Sequence, residues 1–316
     1  MNATGRLPLV TGATGFAGSH LLERLLSSYE QVAAWGNAHG RPVPQTGEGV
    51  RWQAVDLLDR AGIERSLREL RPPILFHLAG IAQVAESWKN SARALEVNAL
   101  GTHHLLDAVE RVVPDCKVVV AGSALVYRPS TRALSEEDPL GPGDPYGVSK
   151  LAQEMLAGRA TTAVIRTRPF NHAGPRQSDA FVTSSFAKQI AEIEAGFREP
   201  HLLVGNLDAR RDITDVRDTA RAYEALANAG LPGRVYNICS GVAYRVGDLL
   251  ERLLRMARTS VKVQTDPSRL RPSDNPVVLG NPARLIADTG WRAAIPIDTT
   301  LADLLGWWRA RIAQQQ

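Results

Sequence analysis

The chain has 316 residues, 44% of them hydrophobic, enough for a large core divided between two lobes. Its net charge of +4 is spread along the chain; it leans toward anionic ligands and falls short of a nucleic-acid footprint. No apolar run approaches the ~20 residues of a membrane span. The N-terminus has no signal-peptide core, and the two cysteines, Cys116 and Cys239, lie in apolar, strand-like runs. A cytoplasmic protein with buried, reduced thiols, bound to neither membrane nor nucleic acid, is expected.

The first strand, over 7–11, runs into Thr11-Gly-Ala-Thr-Gly-Phe-Ala-Gly18, and a helix with apolar residues at helical spacing follows over 16–26. Strand, glycine turn and helix in that order suit a pyrophosphate. The turn must be tight, its backbone must approach the ligand, and the helix must pack close to the sheet. Gly12, Thr14, Gly15, Phe16, Ala17 and Gly18 are therefore candidate cofactor-binding residues. Their G-x-x-G-x-x-G spacing is one residue longer than the common dinucleotide fingerprint.

The second strand, 32–35, ends without the usual acid; Gly36, Asn37, Ala38, His39, Gly40 and Arg41 follow it. Strict NAD preference then lacks its ribose-binding carboxylate. Arg41 could pair with a 2′-phosphate, which would favour NADP, or could be a solvated loop residue. Asn37 is a further candidate at this edge. A third strand over 52–55 leads to Asp56 and Leu57, placed for the adenine edge.

A helix over 60–71, a strand over 73–78, a long helix over about 92–113 and a strand over 117–121 continue the alternation. The pattern predicts an α/β fold with a Rossmann-type doubly wound parallel sheet. After residue 170 the rhythm changes. Helices at about 181–196 and 246–257 surround short strands and proline-rich turns, while 215–229 and 235–238 read as a helix and strand of the first lobe. The expected division is 1–169 plus about 211–240 for a dinucleotide-binding domain. The second would be a smaller, discontinuous α/β lobe of about 170–210 plus 241–316.

Tyr146 and Lys150 are four residues apart in Tyr-Gly-Val-Ser-Lys, so on a helix they share a face. A neighbouring ammonium favours phenolate and should lower the phenol pKa. Such a tyrosine can exchange a proton with a carbonyl or hydroxyl. Ser123, at the end of the strand Val119-Val-Ala-Gly-Ser, could bond the same oxygen. Asn98 is a candidate for fixing the active-site helix or a water.

In these motifs the chain resembles the extended short-chain dehydrogenase/reductases that act on nucleotide sugars. The resemblance rests on the glycine turn, His77-Leu-Ala-Gly80, Asn98, Ser123-Ala-Leu-Val-Tyr127, Tyr146-Gly-Val-Ser-Lys150 and Arg168-Pro-Phe-Asn-His-Ala-Gly-Pro-Arg176, all in family order. It implies a Ser123/Tyr146/Lys150 triad supported by Asn98. It also implies cofactor contacts at Leu78, Ala79 and Gly80 with Tyr146 and Lys150, NADPH or NADH as coenzyme with NADP slightly favoured, and a homodimer packed through two long helices.

The run Gly205-Asn-Leu-Asp-Ala-Arg-Arg-Asp and Arg269-Leu-Arg-Pro-Ser-Asp274 resemble the guanosine-diphospho-sugar branch. By position, Arg211 and Arg271 would meet the diphosphate or nucleoside, for which the guanidinium fork is suited. Asn171 would hold the sugar phosphate, with Lys188 a further diphosphate candidate. Related dehydratases place a glutamate two residues after the triad serine or threonine. Here that position is Leu125, which cannot exchange a proton. The resemblance therefore implies reduction of the C4 ketone of GDP-4-keto-6-deoxy-mannose to GDP-rhamnose.

A dehydratase or a C4 epimerase with tightly bound NAD is the nearest rival reading. A non-catalytic dinucleotide sensor is a distant one, since the triad is whole. His103 and His104, adjacent on a helix, make a poor metal pair. No zinc spacing is present, and no metal is expected. Trp307-Trp308 reads as the core face of the last helix. His172 has two readings, a substrate contact or a structural hydrogen bond.

Overall fold

The computed structural model describes residues 7–37, 48–269 and 275–314. The first half alternates strands and helices: β1 (Leu9–Thr11), α1 (Phe16–Leu26), β2 (Val32–Gly36), β3 (Val50–Ala54), α2 (Arg60–Leu70), β4 (Ile74–His77), α3 (Val84–Lys89) and α4 (Ser91–Leu95). A π-helical turn (Glu96–Leu100) joins α4 to α5 (Gly101–Val112). Then come β5 (Lys117–Ala121), α6 (Pro145–Ala157), β6 (Val164–Pro169) and β7 (Asn171–Ala173). The rest comprises α7 (Val182–Glu194), β8 (His201–Val204), β9 (Arg210–Asp215), α8 (Val216–Ala229), β10 (Val235–Ile238), β11 (Ala243–Arg245) and α9 (Val246–Met256). It closes with β12 (Lys262–Thr265), β13 (Val277–Val278), α10 (Ala283–Thr289) and α11 (Ile297–Ala313).

Seven strands form one parallel sheet in the order β10-β6-β5-β4-β1-β2-β3. Its central strands carry Leu9, Val10, Leu75, Phe76, Val118 and Val119 fully buried, as a sheet covered on both faces requires. Strand order reverses between β1 and β4, and a ligand crevice belongs outside the carboxyl ends of strands at such a point. The glycine turn after β1 and the 78–80 loop after β4 both open there, in register through Thr11 and His77.

A second sheet is built on β9, which pairs with β7, β11 and β13. It packs on α7, α9 and α11 around Phe186, Ile190, Leu249, Leu301 and Leu305. The boundary expected near 211 thus runs through β9, all of whose partners lie in the second sheet. In the other direction, Leu285 of α10 and Trp291 join the first core beside Tyr223 and Tyr236. The helical stretch expected over about 92–113 is found over 91–112: Asn90 caps its start, accepting from the Arg93 N–H at 2.9 Å, and a π turn at 96–100 lies within it. Among the described residues no helix is long and apolar enough to cross a membrane.

Candidate active site

The glycine turn is shaped by close approach. Gly12 has φ +66°, and a Cβ there would lie 2.7 Å from the Ala79 nitrogen. At Gly18 a Cβ would overlap the Gly12 carbonyl oxygen, so α1 could not seat on the turn. No side chain caps the first turn of α1 at Gly15, and no acid sits in it. A helix N-terminus of this kind suits an anionic group. Thr14, Phe16 and Ala17 flank it. A pyrophosphate therefore fits the residues present.

The other candidate cofactor positions line the same sheet edge. Asn37 is exposed just beyond β2, and Asp56 and Leu57 follow β3. Asp56 accepts from the Leu58 N–H at 2.9 Å. Leu78, Ala79 and Gly80 follow β4. A Cβ on Gly80 would lie 2.7 Å from Asn98 Oδ1. Arg41 and Arg271 lie outside the described residues.

Tyr146 and Lys150 stand on α6, whose first turn is capped by Asp144, accepting from the Gly147 N–H at 2.8 Å. Gly147 brings that turn against the Ser123 strand end: a Cβ would lie 2.5 Å from the Leu125 carbonyl oxygen. The expected acidification of Tyr146 by Lys150 is not what the structure shows. Burial pushes the phenol up to about 12, against a smaller downward pull from its hydrogen bond with Ser123. Burial also brings Lys150 down to about 7, and its ammonium donates to the Ala121 carbonyl at 2.7 Å. Tyr146 thus holds its proton at neutral pH, the state a ketone reduction consumes.

Asn98 is fully buried and braces this helix. Its amide donates to Ser149 Oγ at 2.9 Å and to the Ile81 carbonyl at 3.1 Å, and its oxygen accepts from the Ile81 N–H at 2.8 Å. Ser149 in turn donates to the Tyr146 carbonyl at 2.7 Å. The side chain of Asn98 is therefore consumed by positioning contacts.

A second buried network escaped the sequence reading. Thr11 Oγ1 accepts from the Ala79 N–H, so its own proton goes to His77 Nδ1 at 2.8 Å. His77 Nε2 then donates to Thr102 Oγ1 at 2.8 Å, and Thr102 donates to the Asn98 carbonyl at 2.7 Å. The tautomer follows from the partners, and burial lowers the imidazole to about 3, keeping it neutral. The signal was available: His77 ends a strand otherwise wholly apolar. Tyr223 of α8 was also missed. It is buried and bonded to Thr167, and burial, with a smaller push from Tyr146, raises its phenol well above the ordinary range.

On the second-lobe side, Asn171 is exposed at the start of β7. Arg211 donates to the Asn275 carbonyl at 2.7 Å. Lys188, on α7, has partners of its own. Its ammonium meets Asp179 at 2.7 Å and Glu192 at 3.6 Å, and lies 5.6 Å from the Trp308 ring centroid. Its charge is balanced locally.

A doubly wound cofactor lobe, a glycine turn at its switch point and a Ser/Tyr/Lys cluster beside it define an extended short-chain dehydrogenase/reductase of the nucleotide-sugar group. Within that group the chain belongs to the GDP-mannose 4,6 dehydratase family, which matches residues 9–304. It is 36% identical over 313 residues to GDP-6-deoxy-D-mannose reductase of Pseudomonas aeruginosa, covering 97% of this chain and 98% of that protein. The solved structure of RMD from Pseudomonas aeruginosa complexed with NADPH superposes with a TM-score of 0.85 at 34% identity, over 97% and 100% of the two chains. UDP-glucose 4-epimerase of Thermus thermophilus in complex with NAD is more distant, at 29% identity and a TM-score of 0.83 over 96% and 98%.

Proposed function

We propose that this chain reduces the C4 ketone of GDP-4-keto-6-deoxy-mannose to GDP-rhamnose with NADPH or NADH, in the cytoplasm. The observation that carries the reading is a protonated Tyr146 bonded to Ser123, with Leu125 where the related dehydratases have a glutamate. That arrangement can deliver a proton to a carbonyl oxygen and has no acid or base at Leu125 for eliminating water. The family's dehydratase members do not override this. The relative with 36% identity is a reductase by name, and a solved relative holds NADPH.

When bound, the nicotinamide supplies the hydride. Gly12, Gly15, Gly18 and the first turn of α1 hold the pyrophosphate. Ser123 bonds the ketone oxygen, Tyr146 gives its proton to that oxygen, and Lys150, anchored on the Ala121 carbonyl, orients the group that faces it. The lobe with β9 and α7 takes the GDP-sugar, with Asn171 and Arg211 as contacts.

Two assays test this. Incubation with the keto sugar and each coenzyme should oxidise NADPH or NADH stoichiometrically, and NMR should show the rhamno configuration at C4. Oxidation of neither coenzyme removes the reductase assignment, and turnover by the purified protein without added coenzyme favours an epimerase. We also propose a homodimer. Trp88 (61% exposed), Leu95, Leu100, Val148 and Met155 (64%) leave apolar side chains open on α3, α4, the π turn and α6. Light scattering should give twice the chain mass, and Met155→Glu should shift it toward monomer; a wild-type monomer rejects this.

A further inference from the structure

Residues 16, 20 and 23 of α1 follow one another along one face of the helix. That face does not enter the core, which takes Leu21, Leu22 and Leu25. It meets β7 and the turn that follows it instead. Phe16 stacks on His172, with ring centroids 5.6 Å apart and planes 14° apart. The His20 ring meets Phe16 edge-on, and its Nε2 donates to the Pro175 carbonyl at 2.9 Å. Glu23 takes both Arg176 nitrogens, at 2.5 and 2.8 Å.

The turn so gripped is unusual in its backbone. Arg176 has φ +74°, a left-handed conformation that a non-glycine residue adopts only when its surroundings impose it. The grip also continues into the second lobe. Gln177 donates to the His172 carbonyl at 2.7 Å, Ser184 of α7 donates to the Gln177 carbonyl at 2.7 Å, and Trp308 of α11 donates to Ser184 Oγ at 2.9 Å. His172 is held from its own side too, where Nδ1 donates to the Phe170 carbonyl at 3.2 Å. Asn171, proposed above to meet the sugar phosphate, lies between those two gripped neighbours in sequence.

We propose that the Phe16–His172 stack, backed by His20 and Glu23, couples the two binding events: filling the coenzyme site raises affinity for the nucleoside diphosphate, with His172 as the positioning residue for Asn171. The physical basis is shared structure. Phe16 is the first residue of the helix whose N-terminus holds the pyrophosphate. Ordering that turn fixes the Phe16 ring, the ring fixes His172, and part of the cost of ordering Asn171 is met before the sugar nucleotide arrives. The idea rests on the proposed GDP-sugar site.

The test is calorimetric titration of GDP, and in parallel UDP, into the full chain with NADP+ absent and saturating. Wild type should bind GDP about fivefold or more tightly with NADP+ present, the range in which coupled sites fall. His172→Ala should bring the two GDP affinities together while leaving NADP+ affinity nearly unchanged, which a general loss of fold would not do. His172→Phe, which keeps a ring against Phe16, should restore the difference. Equal GDP affinities in wild type, or an undiminished difference in His172→Ala, overturn the proposal. Binding of UDP in place of GDP overturns the substrate assignment instead, and the same comparison made with UDP then decides the coupling.

Discussion

Tyr146→Phe is expected to lower kcat for ketone reduction by about 10³-fold, a loss of roughly 4 kcal/mol of transition-state stabilisation. NADPH affinity should be nearly unchanged. The ring stays and only the proton goes. In the native chain the phenol is enclosed, its pKa raised to about 12, and Ser123 is bonded to it, so a proton stands ready at every pH near neutrality. Phenylalanine leaves Ser123 to polarise the ketone without an acid behind it.

The pH dependence separates the two partners of the pair. Tyr146 keeps its proton through the neutral range, so it sets no limb there. Lys150 is lowered to about 7, so its ammonium is present below that value and is lost as pH rises through it. Wild-type kcat/KM should therefore decline above about pH 7, and the residual rate of Tyr146→Phe should keep the same decline, since Lys150 is still present. Coenzyme oxidation followed by absorbance, with NADPH binding followed by fluorescence, measures both. Turnover within tenfold of wild type would remove Tyr146 from the chemistry.

The parts of the molecule that could be read in advance are those fixed by local pattern. The alternation of buried strands and amphipathic helices up to residue 121 predicted the parallel sheet, and the helix after the glycine turn lies where its apolar spacing put it, Phe16–Leu26. Tyr146 and Lys150 share a face because i and i+4 positions must. What the pattern could not carry was long-range. The acidity of Tyr146 is set by enclosure more than by its neighbour in sequence, because the Lys150 ammonium turns to a strand carbonyl. Lys188 is claimed by Asp179, nine positions away, and by Glu192, one turn along its own helix, a competition that spacing alone does not rank. The His77 network joins β1, β4 and the helical stretch of Asn98 and Thr102; a polar residue closing an apolar strand marks His77, but its partners are far from it in the chain. The π turn at 96–100 arises where Asn98 and Thr102 must satisfy both the helix and partners outside it, which periodicity averages away.

Glu154→Gln should destabilise the protein by about 3–5 kcal/mol, the cost of leaving a buried charge without its partner. Glu154 continues the stripe of Tyr146 and Lys150 along α6, one turn beyond the lysine. Its carboxylate is 5% exposed and takes two hydrogen bonds from Arg168 of β6, at 2.9 and 2.6 Å. Arg168 is enclosed as completely. Its third nitrogen donates to the Glu136 carbonyl at 3.0 Å, and its guanidinium carbon lies 4.6 Å from the Tyr127 ring centroid. With the carboxylate neutralised, the buried guanidinium loses its ion pair with Glu154. Replacing both partners by apolar residues, Glu154→Leu with Arg168→Met, should recover most of the loss, because neither ion then has to be desolvated. Equilibrium denaturation of Glu154→Leu, Arg168→Met and the double variant closes the cycle, with Glu154→Gln measured beside them. The single variants should also lose kcat beyond their loss of stability, since the pair pins the far end of the helix that aims Tyr146. A cost below about 1 kcal/mol for Glu154→Gln, the range of a solvated surface pair, would mean that water reaches the pair and that α6 is held by its packing alone.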